Sequence, residues 1–491
     1  MTSRKHAWLA AALISLAAPL AASAAIHEIP ITTRNADALL AFKAGQAAAD
    51  RGDGPEANKL FRTAVAADPN FTYAWWNLSN VTFSTEEFNA ALKGAEQGAA
   101  QASDGERMLL EFNKLFLQNN FNAQLDLAKK LVEKYPDSPR AYMVLQGAYA
   151  ALNQFAEQRA VLEKVIAMAP DFSPAPFTLG VSYLFNQPTD FAKSEQAFRK
   201  AVDASPGSDM YYWSLGDVAR GSNRLEDARR YYQLALQLDP NDSTAPVKLG
   251  HVDSFLGHFD EARKDYDQGI KVAGGPTAAF LGPFKAFTYV YQGEPKQAIQ
   301  ALQDLVTSID SSGAGPDQRN NAKVVALTNA AQIALHYGLY DDAEHALGQR
   351  AALARENAQT VGTTAFTNIQ ESQIAFWDAQ LAAYRGDYKK AAELAKKNAD
   401  LVAGENNARK MEPVHEVLGL IELRRKSYKK AIAELKLADQ TQLHNKYLLA
   451  QALEGAGQKD EAMKIYREVS VNNFNTIDFA LLRAEALKKV G

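Results

Sequence analysis

The sequence predicts an all-α solenoid of stacked helical hairpins, on three observations. Prolines able to stop a helix stand at Pro136, Pro170, Pro206 and Pro240, spaced by 34, 36 and 34 residues, and Pro69 lies 67 residues before the first of them. A short phrase recurs along the chain: an aromatic or apolar residue, two polar residues, then a small one. It is read in Phe88 with Ala91, Leu225 with Ala228, Phe259 with Ala262, Tyr340 with Ala343, Tyr388 with Ala391 and Tyr428 with Ala431. Between turn signals the apolar residues return every three or four positions, which is one face of a helix.

Taken in order, the chain opens with an export signal over residues 1–24. Arg4 and Lys5 precede an apolar run from Ala7 to Ala22, and Ala22-Ser23-Ala24 supplies the small residues of a cleavage site. Pro19 interrupts the run, which is shorter than the roughly 20 residues a spanning helix needs. A short segment, 25–35, leads into a regular repeat block over 36–274. Residues 209–240 show its physics: Tyr212, Leu215, Gly216 and Ala219 share one helix face, Gly221-Ser222-Asn223 breaks the helix, and Leu225, Ala228, Tyr232 and Ala235 form the apolar face of a second. Small residues at Gly216 and Ala228 allow the two helices to approach closely. Such a hairpin covers only half its apolar surface until the next one stacks on it.

Ala273-Gly274-Gly275-Pro276, followed by Gly282-Pro283, marks a bend, after which a looser block runs over 275–475. Its small residues Ala298, Ala343, Ala391 and Ala431 stand 45, 48 and 40 residues apart, so longer helices or loops are expected, with 308–321 a loop by composition. Residues 476–491 read as a capping helix with Phe479, Leu482 and Leu487 inward.

On these residues the chain resembles the tetratricopeptide repeat family, whose pattern of Trp, Leu-Gly, Tyr, Ala, Phe, Ala and Pro recurs here in about twelve units. The clearest copies are 209–240 and 243–274, the latter with Leu249, Gly250, Gly257, Phe259, Ala262 and Tyr266. The resemblance implies a right-handed superhelical solenoid whose first helices line a concave groove. It also implies groove positions at Phe42, Trp76, Phe177, Trp213 and Phe376, with Tyr73, Phe83, His251, Phe280, Phe287 and Tyr384 beside them. Family members that clamp a terminal carboxylate use Lys, Asn and Arg at these places, and this array does not repeat that set.

Chemistry of other kinds is excluded on composition and motif. With 53 Lys and Arg against 57 Asp and Glu, the formal charge of -4 gives no overall electrostatic case for nucleic acid. No cysteine is present, hence no disulfide, thiolate nucleophile or Cys-containing zinc site. Walker, G-x-S-x-G, H-E-x-x-H and EF-hand signatures are lacking. His258, His336 and His345 read as solvated or groove histidines rather than metal ligands, so neither a metal nor another cofactor is expected.

Charge is uneven, with 20 basic and 15 acidic residues from Arg385 to the end. The cluster Arg424, Arg425, Lys426, Lys429 and Lys430 reads either as a solvated convex face or as a patch for an anionic envelope component. The expectation is an exported, non-enzymatic scaffold that binds a protein or peptide in its groove during envelope assembly or secretion. It would reside in the periplasm, or outside the cell if secreted, and its mature chain would have no transmembrane segment. Binding of a glycan or small apolar ligand is the alternative. Intact mass spectrometry of the exported protein should give a chain beginning at Ala25; a membrane-bound product retaining Met1 would show an anchor instead.

Overall fold

The computed structural model describes residues 28–82, 85–118, 120–313, 315–404 and 409–491. The expected export signal and Phe83 lie outside the described residues. Among those described, the regular structure is 25 α-helices and a single 3-10 turn, without a strand. No helix among them is long and apolar enough to cross a membrane.

The helices divide into two compact units, meeting in sequence at Phe172 and Ser173. The first holds four hairpins: α1 (Ala36–Asp50) with α2 (Gly54–Ala67), α3 (Thr72–Ser79) with α4 (Thr85–Gly98), α5 (Asp104–Leu117) with α6 (Phe121–Lys134), and α7 (Pro139–Ala151) with α8 (Phe155–Met168). The second begins with α9 (Pro174–Phe185) and α10 (Phe191–Ala204), α11 (Asp209–Gly221) and α12 (Leu225–Leu238), and α13 (Thr244–Leu256) and α14 (Phe259–Ala273). It continues with α15 (Gly275–Gln292) and α16 (Pro295–Ser308), then α17 (Pro316–His336) and α18 (Tyr340–Val361). The last pairs are α19 (Thr364–Tyr384) with α20 (Tyr388–Val402), α21 (Glu412–Arg424) with α22 (Tyr428–Leu435), and α23 (Leu443–Gly455) with α24 (Lys459–Ser470), followed by α25 (Ile477–Val490).

Local chemistry sets these boundaries. Pro69, Pro136, Pro170, Pro206 and Pro240 each stand two residues beyond a helix end, at Ala67, Lys134, Met168, Ala204 and Leu238. A proline there forbids continuation because it lacks the N–H and fixes φ. Starts are capped: the Asn35 side chain accepts from the N–H groups of Asp37 and Ala38, and Ser103 and Glu106 form a reciprocal capping box.

In four hairpins, a glycine of the first helix receives an aromatic ring of the second. A β-carbon at Gly45 would lie 2.7 Å from the Phe61 ring, and one at Gly180 or Gly250 would lie 2.6 Å from Phe198 or Tyr266. Gly216 meets Tyr232 in the same way. All four rings are fully buried. Sixteen residues separate glycine from ring in three of these hairpins and eighteen in Gly180–Phe198, where the longer 186–190 turn sits between α9 and α10.

The second unit places first helices side by side, α11 on α13, α13 on α15, α15 on α17, α19 on α21 and α21 on α23, which makes its inner face. The bend at Gly274, with φ 58°, lies inside this unit, and α14 packs directly on α15. The wider spacing that follows comes from helix length: α17, α18 and α19 have 21, 22 and 21 residues. The expected loop at 308–321 is shorter than its composition suggested. Pro316 has a φ preset for a first turn, and the Gln318 side chain accepts from the Gly315 N–H, so helix resumes at 316. α25 does more than cap the end: it packs on α15 and α17 as well as on α23 and α24. Phe479 and Leu482 are buried as expected, whereas Leu487 is 41% exposed because it falls on the outer face of α25.

Gly180→Ala should overpack its hairpin and cost about 1–3 kcal/mol. A β-carbon at Gly147, in α7, meets nothing within 4 Å, so Gly147→Ala should stabilise by about 0.4–1 kcal/mol. Chemical denaturation that moves both variants in the same direction would contradict the close-approach account.

Candidate functional site

Part of the second unit's inner face is already occupied by the chain itself. In the second unit the segment joining α24 to α25 crosses the first helices of earlier hairpins. Asn473 donates through Nδ2 to the Arg220 carbonyl (3.1 Å) and to Asn223 Oδ1 (2.8 Å). Phe474 stands 6.0 Å from the Phe185 ring, with the Arg220 guanidinium 5.0 Å from its centroid. Asn475 Nδ2 lies 3.0 Å from both His251 Nδ1 and Tyr266 Oη, and its Oδ1 accepts from Tyr291 (2.8 Å). Burial drives the His251 pKa well down, so a neutral ring sits in this network. The groove position expected at His251 is thus a buried strut. The adjoining Asp217 is buried too; burial alone would raise its carboxyl, but Lys248 (2.5 Å) and Arg220 (2.9 Å) hold it below its ordinary range.

The remaining expected groove aromatics separate by environment. In the first unit Phe42 and Tyr73 are core, with Phe42 4.7 Å from Phe71 and 5.1 Å from Tyr73, while Trp76 is half-buried beside Tyr73. That unit's leading segment is pinned to the end of α2 and to the starts of α5 and α7. Thr33 donates to Asp68 (2.5 Å), Thr32 to Glu106 (2.7 Å), and Ser138 donates to Glu28 (3.0 Å). In the second unit Phe177 packs on Phe198 and Tyr211, and Trp213 carries the Lys248 ammonium 4.6 Å from its ring. Phe287 is core against Phe284, and Phe280 is 41% exposed. Phe42, Tyr73 and Phe287 therefore offer a ligand little surface, because the period that puts a ring on the first helix also puts it against the neighbouring helix.

Phe376 and Tyr384 are brought together. They line a cavity of about 560 Å³ walled by α17, α19, α21, α23 and the start of α25, a size suited to several residues of a ligand. Trp377 meets Phe376 edge-on at 5.0 Å. Tyr384 is pushed up to about 12 by burial, and Arg424 covers its ring at 4.5 Å. Between the aromatics lie Gln373, Gln380, Asn398 and Gln442. Glu416 accepts from Gln380 Nε2 (2.6 Å) and Asn445 Nδ2 (2.9 Å). Burial raises its pKa, and nearby Asp478 adds to the rise, while His444 and Asn445 oppose it. Arg409 is paired with Glu412 and Asp439, both at 2.8 Å, and His336 with Glu485 at 3.3 Å.

Reading for aromatics passed over Gln380 and Glu416. The signal for them was available: they stand four and forty residues after Phe376, at the ninth position of its repeat and the fifth of the next.

Models of the tetratricopeptide repeat match residues 42–107, 189–243 and 443–470. The chain carries tetratricopeptide repeats. The chain is 26% identical over 212 residues to the peroxisomal targeting signal receptor of Kluyveromyces lactis, covering 42% of this chain and 37% of the receptor. It is 23% identical over 146 residues to anaphase-promoting complex subunit 3 of Schizosaccharomyces pombe, covering 30% and 22%. The chain thus spans 37% and 22% of the length of these two curated relatives. Among solved structures, the human IFIT1 dimer with m7Gppp-AAAA aligns over 89% of this chain and 90% of its own, at 13% identity and a TM-score of 0.41.

The basic cluster lies at the turn between α21 and α22. Two of its cations are engaged in packing, Arg424 on Tyr384 and Arg425 5.1 Å from the Tyr388 centroid, with Arg425 also paired to Glu422 (3.2 Å). Lys426 occupies the turn at φ 60°, and Lys429 and Lys430 are exposed.

Replacing Asn475 by Ala strips hydrogen bonds from buried His251, Tyr266 and Tyr291, and should cost about 1–3 kcal/mol. Hydrogen exchange should quicken in α13, α15 and α25 and stay unchanged in α1 to α8. Uniform loss along the chain would show that the crossing segment is not a local strut.

Proposed function

We propose that this protein is a non-enzymatic scaffold that binds a protein or peptide partner on the inner face of its second unit, and that it does so after export, in the cell envelope. The observation that carries the reading is the cavity under Phe376, Trp377 and Tyr384, where aromatic walls and amide side chains converge while neighbouring stretches of the inner face are filled. Aromatic surface supplies contact area at low entropic cost, and amides can satisfy the backbone groups of an extended peptide. A targeting receptor and a subunit of a multiprotein complex among the relatives accord with a binding role. The amino-terminal signal pattern supports export and the periplasm. A glycan is the second reading, because rings interleaved with Gln373, Gln380 and Gln442 also suit sugar faces and hydroxyls.

A photoreactive benzoylphenylalanine at Phe376 tests the two. Irradiation in the native envelope fraction should give an adduct whose added mass is that of one polypeptide. With that partner purified, Trp377→Ala should weaken binding by about 2 kcal/mol or more while leaving the melting temperature nearly unchanged. A saccharide adduct, or unaltered binding by Trp377→Ala, would reject the protein-binding reading at this site.

A further inference from the structure

The lining includes the cations Arg409 and Lys410, the latter donating to the Ala403 carbonyl (2.7 Å), but acceptors are in excess around Glu416. Glu416 presents a carboxylate with about four acceptor sites, of which the amide donors of Gln380 and Asn445 take two. Gln380 is 3% exposed, and because its Nε2 is committed to Glu416, its Oε1 is left as an acceptor without a partner. Asn445, wholly buried, donates to Glu416 and to the Asp439 carbonyl, and its Oδ1 is likewise without a partner. Among the described residues no cation stands within ion-pair distance of Glu416 or of Asp478, since Arg409 is held by Glu412 and Asp439. Buried acceptors left unmatched are costly, and a carboxylate in such a place calls for a positive donor.

We propose that the cavity receives an arginine side chain of the protein partner, with Glu416 as counter-charge, Gln380 Oε1 as a second acceptor and the Phe376–Trp377 wall as the surface on which the guanidinium lies. The proposal rests on the protein-binding reading above and deepens it. A guanidinium brings five donors in a flat fork and stacks on aromatic faces, which matches acceptors in place beside rings; an ammonium provides a point charge without the flat face. Several faces set the pH response. Glu416 is approached by His444 from α23, Asp478 from α25 and Gln380 from α19, with the Arg409, Glu412 and Asp439 group and His336 farther along the lining. Acidification protonates Glu416, whose pKa burial has already raised, and so removes its attraction for a cation.

Titration calorimetry on the full mature chain decides it, using an acetylated and amidated pentapeptide with a central arginine and the same peptide carrying citrulline, its neutral isostere. The arginine peptide should bind at least about tenfold more tightly than the citrulline peptide, and Glu416→Gln should erase the difference. On the wild-type chain the arginine preference should shrink as pH falls and as salt rises, a readout that survives even if the variant folds poorly. Equal binding of the two peptides, no saturable binding of the arginine peptide, or a preference untouched by pH would overturn the proposal. If free arginine amide binds as tightly as the peptide, the site is one for a small molecule and the partner assignment falls. A polypeptide adduct at Phe376 whose partner binds Glu416→Gln normally would sink this inference while leaving the protein-binding reading intact.

Discussion

The ring of Tyr266 occupies the space that a side chain at position 250 would need, and the same substitution of ring for side chain closes the hairpins at Gly45, Gly180 and Gly216. Everything else in the architecture follows from that contact. It draws the two helices of a hairpin together, fixes which face of each is turned inward, and leaves a second apolar face that only a neighbouring hairpin can cover. Because glycine and ring are in register in successive hairpins, first helices meet first helices, as α11 meets α13 and α13 meets α15, and their remaining side chains share one inner face.

A simple array of this kind couples each unit only to its neighbours. The second unit departs from that rule through Asn473, Phe474 and Asn475, which reach helices more than 200 residues earlier in the chain. Phe479 continues the link, edge-on to Phe255 at 5.2 Å. The polar atoms Asn475 meets are all buried, so the segment cannot leave without stranding them, and α25 is fastened to the interior of its unit. The first unit uses its leading segment in a comparable way, with Ile29 buried beside Gly105 and Glu28 accepting from Ser138 at 3.0 Å. In the second unit, His251 and Phe255 of α13 serve as packing for the crossing segment and α25.

What stays accessible is therefore decided by charge as much as by shape. Around Asp217 the carboxylate is met by Lys248, Arg220 and the Tyr232 hydroxyl, and that stretch is self-satisfied. Around Glu416 two neutral amides supply the only hydrogen bonds among the described residues, in a cavity large enough for part of a second chain. Two carboxylates on the inner face of one repeat type thus have opposite roles: one is neutralised within the fold, and the other is left for something to neutralise.

The repeat was legible because its determinants are local. A proline two residues past a helix end, a cap such as Asn35 and an apolar residue every third or fourth position act within a turn or two of helix, so the sequence by itself determined the all-α class and the helix ends that prolines mark, though not the resumption of helix at Pro316. It also placed Phe376 and Tyr384 on the inner side. Phe42 is core against Phe61, Phe71 and Tyr73 of its own and the next hairpin, whereas whether His251 would be a strut depended on Asn475 arriving from elsewhere in the chain, and the period carries no record of that. The cavity was a tertiary decision for the same reason: Gln380, Glu416 and Asp478 lie on α19, α21 and α25, and only the packing that brings three helices together withholds a cation from the carboxylate at their centre.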